Sequence, residues 1–117
     1  MLIELHEAKA ELFRTLGHPV RIRVLELLCE SDHAVHELLA KVTIEPSALS
    51  QQLGILRRAG LVRQQRVGGE VVYALMAPAV RDLLAAARTT LSFLLAIQAE
   101  LQVALDEEGS IAEGARS

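Results

Sequence analysis

Polar side chains stand on one face of a predicted helix that begins after Pro46. Ser47, Ser50 and Gln51 lie in its first turns and Arg57 lies near its end, whereas the opposite face is apolar. A glutamine amide can pair bidentately with adenine, and a serine hydroxyl can bond to base edges or phosphates. Such residues near a helix N-terminus are typical of a helix that meets the bases of DNA.

A second set of side chains has the chemistry of metal ligands. His33 and His36 are three residues apart, a spacing that lets them share one helical face. His6 lies between Glu4 and Glu7 in the first predicted helix. Imidazole with carboxylate suits zinc, nickel or cobalt. These histidines would converge if the N-terminal helix of one copy crosses the third helix of another; alternatively, two exposed histidines at a helix start bind nothing.

The single cysteine, Cys29, excludes an internal disulfide and a zinc site built from cysteines. It lies in an apolar helix, which favours a core residue over a reactive thiol. A dyad of Cys29 with His33 or His36 is conceivable, but the apolar surroundings disfavour it. Because the sequence also has no glycine-rich phosphate loop and no nucleophile elbow, we do not expect an enzyme.

A succession of short helices must position these side chains. The helical spacing of Leu5, Leu12, Phe13 and Leu16 predicts one helix from the N-terminus, and Gly17 and Pro19 then stop it and start a second. A short third helix follows around 35–39. The fourth helix, over 47–59, carries the polar face described above and ends at Gly60.

Two valine-rich runs, 61–67 and 70–76, flank Gly68–Gly69. They predict a β-hairpin, because a two-residue glycine turn supplies positive φ at both positions. After Pro78, apolar residues alternate steps of four and three, as in a coiled-coil seam. The seam positions are Val80, Leu84, Ala87, Leu91, Leu94, Gln98, Leu101 and Leu105. The seam either completes the core of a monomer or forms a dimer interface, and we favour the dimer because an exposed apolar seam is a liability.

The length of 117 residues supports a single domain, which we place at 1–107, followed by a flexible acidic tail at 108–117. The N-terminus lacks the basic flank and long apolar core of a secretory leader. The most apolar stretch, 83–105, is interrupted by charged residues, so no membrane span is predicted. We expect a cytoplasmic protein with no membrane partner.

The formal net charge of −3 taken alone argues against nucleic-acid binding. The charge is unevenly distributed, however. Segment 47–76 contains four arginines and one acid, a local net of +3, whereas segment 98–117 contains five acids and one arginine, a local net of −4. The basic segment coincides with the polar helix and the hairpin. With only three aromatic residues the chain offers no stacking platform for single strands, which favours duplex DNA.

Four short segments follow one another in a recognisable order. They are Leu-Gly-His-Pro-Val-Arg at 16–21, Ser-Ala-Leu-Ser-Gln-Gln-Leu at 47–53, Leu-Arg-Arg-Ala-Gly-Leu-Val at 56–62 and Gly-Glu-Val-Val-Tyr at 69–73. In this order and spacing the chain, from about 10 to 88, resembles the ArsR/SmtB-type winged-helix transcriptional repressors. The resemblance implies a mainly α fold with a small β-hairpin, a winged helix-turn-helix of order α-α-α-α-β-β-α, and a homodimer through the first and last helices.

The resemblance also implies which residues meet operator DNA. The residues implied to contact bases or phosphates are Ser47, Ser50, Gln51 and Gln52. Those implied to contact the DNA backbone are Arg57, Arg66, Gly68 and Gly69. The family often has histidine at the position of Gln52. Many members release DNA on binding a metal ion, but the thiol-rich motif of the third helix is absent here and no histidine follows His36. His6, His33 and His36 are therefore the candidate ligands for nickel or zinc.

The sequence thus predicts a double-stranded DNA-binding transcriptional regulator that acts as a repressor and responds to a transition metal ion of the zinc, nickel or cobalt class. Two alternatives stay open. One is a winged-helix regulator that does not respond to metal. The other is a protein-interaction module of the same fold that no longer binds DNA.

Overall fold

The computed structural model of the protein describes residues 3–116, and for 111–116 only the backbone. Its elements are α1 (Leu5–Leu16), α2 (Pro19–Glu30), β1 (His33–Ala34), α3 (Val35–Lys41), α4 (Pro46–Arg58), β2 (Val62–Val67), β3 (Glu70–Leu75) and α5 (Ala79–Arg116). The predicted helices and hairpin are therefore confirmed in type and order. The two-residue strand β1 is an addition that the sequence did not predict.

The junction between α1 and α2 depends on three consecutive residues. Gly17 follows the last residue of α1, and Pro19 occupies the first turn of α2, where its missing N–H costs nothing. Between them, His18 accepts a hydrogen bond at Nδ1 from the backbone N–H of Val20, at 3.2 Å. His18 is thus the N-cap of α2.

The strands form an antiparallel three-stranded sheet in the order β1-β3-β2. The β2–β3 hairpin turns at Gly68 and Gly69, whose φ angles of 58° and 85° are both positive, as the turn prediction requires. On the other edge of β3, His33 pairs with Tyr73 and Ala34 with Val72. Strand β3 is therefore paired along its middle with the segment between α2 and α3.

Aliphatic side chains from α2, α3 and α4 form the core. The largest fully buried side chains are Val24, Leu25, Leu27, Leu38, Leu49, Leu53 and Leu56. Tyr73 from β3 and Val80 from the start of α5 are also buried. Because α4 contributes three leucines to this core, its buried face is held and its opposite face is left to solvent.

The chain packs as two units, Met1–Arg81 and Asp82–Ser117. The predicted single domain at 1–107 stays a prediction. Helix α5 continues to Arg116, through residues that we expected to form a tail. Gly109 and Gly114 favoured that expectation, yet a glycine inside a helix costs only about 1 kcal/mol, and the neighbouring alanines and glutamates favour helix. Among the described residues no helix is both long and apolar enough to cross a membrane.

Candidate nucleic-acid interface

The exposed face of α4 carries the polar cluster. Pro46 starts the helix, and Leu49, Leu53 and Leu56 bury the opposite face. Because residues three and four apart share a face of a helix, the buried leucines turn the residues between them outward. Four of the predicted DNA contacts on α4 are exposed: Ser47, Ser50, Gln51 and Arg57. They form a row that can approach a groove without moving the core.

Gln52 is in a different environment from its neighbour Gln51. It is half-buried, and its Oε1 accepts a hydrogen bond from Nη1 of Arg21 at 3.0 Å. Arg21 also donates from Nε to the carbonyl oxygen of Thr15, at 2.7 Å. Gln52 therefore joins α4 to the junction between α1 and α2. Its role as a DNA contact stays a prediction, and the structure places it at the edge of the polar face.

Arg58 is a basic residue of this surface that motif matching missed. It is exposed, and its guanidinium lies along the helix over Gly54, where a Cβ atom would come within 3.2 Å of Nη1. The sequence signal that could have found Arg58 is Gly54, which lies one helical turn earlier and leaves room for the arginine side chain. The local charge count does include Arg58, so the basic surface of α4 has two adjacent arginines at the helix end.

The hairpin carries two further exposed arginines, one on each face of strand β2. Arg63 and Arg66 on β2 are exposed, and Arg66 donates from Nη1 to the carbonyl oxygen of Gly69, at 3.4 Å. Nothing lies within 4 Å of where a side chain would project from Gly68 or Gly69. The open turn thus leaves backbone groups accessible to a ligand, and Arg66 lies against it.

His33 lies in strand β1 and not on a helix, so the prediction that it shares a helical face with His36 is wrong. Its side chain is buried, with 2% exposed. Nδ1 lies 2.7 Å from the carbonyl oxygen of Ser31, and Nε2 lies 3.2 Å from Nζ of Lys41. Since a carbonyl only accepts and an ammonium only donates, Nδ1 carries the proton and Nε2 accepts. Both ring nitrogens are therefore engaged.

The other two candidate metal ligands lie on separate elements. His6 is exposed on α1, and His36 is exposed on α3, with Nδ1 3.5 Å from Oε1 of Glu70. Among the described residues, no three histidine, cysteine or acidic side chains come together in a group that could hold a metal ion. A metal site on His6, His33 and His36 therefore stays a prediction.

Cys29 is half-buried on α2. Burial raises the pKa of its thiol, and the guanidinium of Arg81, which donates a hydrogen bond to the Cys29 carbonyl oxygen at 2.8 Å, opposes this rise. A raised pKa leaves less thiolate at neutral pH, and the thiolate is the nucleophile. This geometry agrees with the expectation of a packed cysteine.

Comparison with known proteins identifies close relatives. Residues 18–64 match the bacterial regulatory protein arsR family. An HTH-type transcriptional regulator of Mycobacterium tuberculosis H37Rv, Rv0081, is 53% identical over 92 residues, which cover 78% of this chain and 81% of the relative. The HTH-type transcriptional repressor SmtB of the same strain is 43% identical over 72 residues, covering 62% of this chain and 53% of the relative.

Solved structures give the same result for the fold. The crystal structure of M. tuberculosis Rv0081 superposes with a TM-score of 0.76 at 50% identity, covering 83% of this chain and 98% of that chain. The transcriptional repressor BigR from Xylella fastidiosa superposes with a TM-score of 0.68 at 35% identity, covering 73% of this chain and 87% of that chain.

Proposed function

The chain belongs to the ArsR family of winged helix-turn-helix transcriptional regulators, and on that premise we propose that it represses transcription by binding double-stranded operator DNA through the exposed face of α4 and the hairpin. Its relatives are transcriptional regulators, which confirms that the chain is not an enzyme. Relatives named as repressors support the direction of regulation.

The exposed face of α4 is the observation that carries this proposal. Ser47, Ser50 and Gln51 lie near the helix N-terminus, on a rigid helix whose other face is locked into the core. The major groove of B-DNA is about 12 Å wide and admits an α-helix. In that position Gln51 offers donor and acceptor to a base edge, and the serines offer hydroxyls to bases or phosphates.

The hairpin would act as the wing, on the sugar–phosphate backbone beside the groove. Arg66 supplies a guanidinium there, and Gly68 and Gly69 supply backbone groups without side chains in the way. Arg57 adds a charge at the end of α4. Such contacts fix register and orientation, and the bases in the groove supply sequence preference.

We further propose that the regulator is a homodimer through α1 and α5. Large apolar side chains of α5 are at least half exposed in the single chain: Leu91, Phe93, Leu94, Leu95, Leu101, Val103 and Leu105. On α1, Leu5 and Phe13 are also exposed. A second copy would bury the α5 seam formed by Leu91, Leu94, Leu101 and Leu105, together with Leu5 and Phe13 of α1. Paired helices α4 would then read two half-sites about one DNA turn apart.

A zinc-, nickel- or cobalt-class ion as effector is the remaining part of the proposal. His6 and His36 are exposed and could meet across a dimer once His36 leaves Glu70, whereas the buried His33 would have to give up its bond with Lys41. Calorimetric titration of zinc and nickel into the metal-free protein should give tight binding that is lost in His6→Ala with His36→Ala. Binding that survives the double substitution would move the site elsewhere, and no binding would favour a regulator that answers to another signal.

Fluorescence anisotropy with labelled duplexes, including the DNA upstream of the chain's own gene, tests DNA binding. Affinity should fall steeply with salt, and Arg57→Ala or Arg66→Ala should each reduce the slope of log K against log salt by about 0.9 for each subunit, or about 1.8 for the homodimer. Gln51→Ala should change the preferred sequence while keeping most of that slope. Arg14→Ala, which removes an exposed arginine of α1 that pairs with Glu11, is the matched control and should leave the slope unchanged. Failure to bind any duplex would favour the protein-interaction alternative.

A further inference from the structure

Arg21 on α2 uses all three guanidinium nitrogens within the fold. Nε donates to the carbonyl oxygen of Thr15 at 2.7 Å, and Nη2 lies 3.4 Å from that of Arg14. Both carbonyls belong to the last turn of α1, where i→i+4 partners are lacking, although that of Arg14 also accepts from the backbone N–H of Gly17, at 3.2 Å. The third nitrogen, Nη1, donates to Oε1 of Gln52 on α4, at 3.0 Å. One side chain therefore connects the end of α1 to the helix that carries the polar face.

No carboxylate among the described side chains forms an ion pair with Arg21. Arg21 is half-buried and its guanidinium is positively charged. A charge in this position is stabilised by neutral oxygen atoms only, and the amide oxygen of Gln52 is one of them. The hydrogen bond from Arg21 therefore restricts the rotation of the Gln52 side chain.

We propose that Arg21 is a positioning residue that orients the Gln52 amide for DNA, holding its oxygen so that its NH2 group is the part presented to the nucleic acid. The proposal rests on the proposed function, since it assigns a donor to the same surface. A hydrogen bond from a cation also polarises the amide, which strengthens its N–H groups as donors and weakens its oxygen as an acceptor of a second bond.

The partner atom of Gln52 would therefore be a hydrogen-bond acceptor. A glutamine with both amide ends free pairs bidentately with N6 and N7 of adenine. Gln52 held by Arg21 instead suits an acceptor alone, which is a phosphate oxygen or the O6 and N7 edge of guanine. Gln51 is exposed, and its side chain makes no hydrogen bond to another described residue, so both ends of its amide can pair with adenine. The two adjacent glutamines would make different kinds of contact.

The test is a double-mutant cycle on binding to a duplex recovered from a randomised pool with the wild-type protein. Arg21→Ala and Gln52→Ala should each weaken binding of the homodimer about tenfold, because a hydrogen bond is lost or weakened at each half-site. The affinity of the double variant should be no lower than that of the single variant that binds more weakly, because Arg21 acts through Gln52. Losses that multiply to about a hundredfold in the double variant would overturn the proposal.

Arg23→Ala is the matched control, because it removes the same charge from the same helix at an exposed side chain paired with Glu26. It should change affinity less than twofold. Arg21→Ala should also leave the slope of log K against log salt nearly unchanged, whereas a direct phosphate contact would lower it by about 0.9 for each subunit, or about 1.8 for the homodimer. Selection with Gln52→Ala then separates the two acceptors: a changed preference at one base pair indicates guanine, and an unchanged preference indicates phosphate.

A measurement without DNA distinguishes this proposal from the proposed function. In the NMR spectrum of the free protein, the side-chain NH2 resonances of Gln52 should shift and sharpen in Arg21→Ala and in Arg21→Lys, since the compact ammonium of lysine lacks the planar fork with which the guanidinium spans the Thr15 carbonyl and the Gln52 amide. They should be unchanged in Arg23→Ala. If no duplex binds but these resonances respond, the orienting role stands and the DNA-binding proposal fails. If the resonances ignore Arg21, the orienting role fails.

Discussion

Gln51 and Gln52 occupy consecutive positions of one helix and have unrelated environments. A step of one residue turns a helical side chain by about 100°, which is enough to move it from the exposed face to the flank of the core. Gln51 faces solvent, and Gln52 meets a guanidinium that the chain placed 31 residues earlier. The chemistry available to each amide therefore depends on the side chain beside it as much as on its own identity.

Gly54 offers a direct test of how the exposed face of α4 is built. Gly54→Ala should raise the free energy of unfolding by about 0.5–1 kcal/mol, because glycine in a helix interior is destabilising by that amount relative to alanine. The added Cβ would lie 3.2 Å from Nη1 of Arg58, the far end of a flexible side chain that can move. Urea unfolding at fixed protein concentration measures the change.

Gly60→Ala is the matched control for that experiment. Gly60 has a φ of 79°, so alanine there should lower stability by about 1–2 kcal/mol although no atom is in its way. If Gly54→Ala also destabilised the protein, the guanidinium of Arg58 would be fixed in place and not merely resting over Gly54.

Glu37 predicts a pH dependence of stability. Its Oε1 accepts a hydrogen bond from the backbone N–H of Ala34 at 2.8 Å, and this bond lowers the pKa of Glu37 below its usual value of 4.5. A lowered pKa in the folded state contributes stability above pH 4.5, and that stability is lost as the pH falls through the folded value. Glu37→Gln should lack this contribution, so the two stability curves should converge at low pH.

Chemical denaturation between pH 3 and pH 7, with wild type and Glu37→Gln side by side, measures this convergence. Glu45→Gln serves as the control, because Glu45 precedes α4 and makes no side-chain cap bond there. A constant difference between wild type and Glu37→Gln at every pH would contradict the assignment of the bond to the ionised carboxylate.

At the scale of elements, local signals in the sequence predicted most of the fold. Gly68–Gly69 between valine-rich runs predicted the hairpin, because glycine tolerates the positive φ of the turn. Pro19 and Pro46 predicted two helix starts, because the proline ring fixes φ at a helical value. Strand β1 was missed because two residues show no periodicity, and its pairing with β3 joins positions about 40 residues apart. The bond of Arg21 with Gln52 was missed for the same reason.

Helix α5 carries the prediction about assembly. Leu94→Glu should convert the proposed dimer to a monomer, because it would place a charge in the apolar stripe that a second copy buries. Ala96→Glu is the matched control, since Ala96 is exposed and lies about 200° further around the helix. Sedimentation velocity should show the loss of the dimer in the first variant only. A dimer that survives Leu94→Glu would exclude this stripe as the interface.

At the scale of the whole molecule, the net charge of −3 and a pI of about 5.8 describe neither the basic segment 47–76 nor the acidic segment 98–117. The basic residues concentrate on α4 and β2, and acids concentrate at the end of α5. Long-range attraction to a polyanion depends on both the basic and the acidic residues, whereas contacts in a groove depend on the basic surface alone. The acidic segment should therefore reduce non-specific DNA binding without changing which sequence is preferred.

Neutralising Asp106, Glu107 and Glu108 together as the amides tests this division of roles, since it changes the net charge from −3 to 0. At about 10 mM salt the Debye length is about 30 Å, and binding to random duplex should tighten several-fold. At about 150 mM salt the length falls to about 8 Å, and the difference should nearly vanish. A matched variant with Glu107→Asp and Glu108→Asp keeps the charge and should behave as wild type. A gain that persists at the higher salt, or a changed sequence preference, would mean that this segment touches the DNA directly.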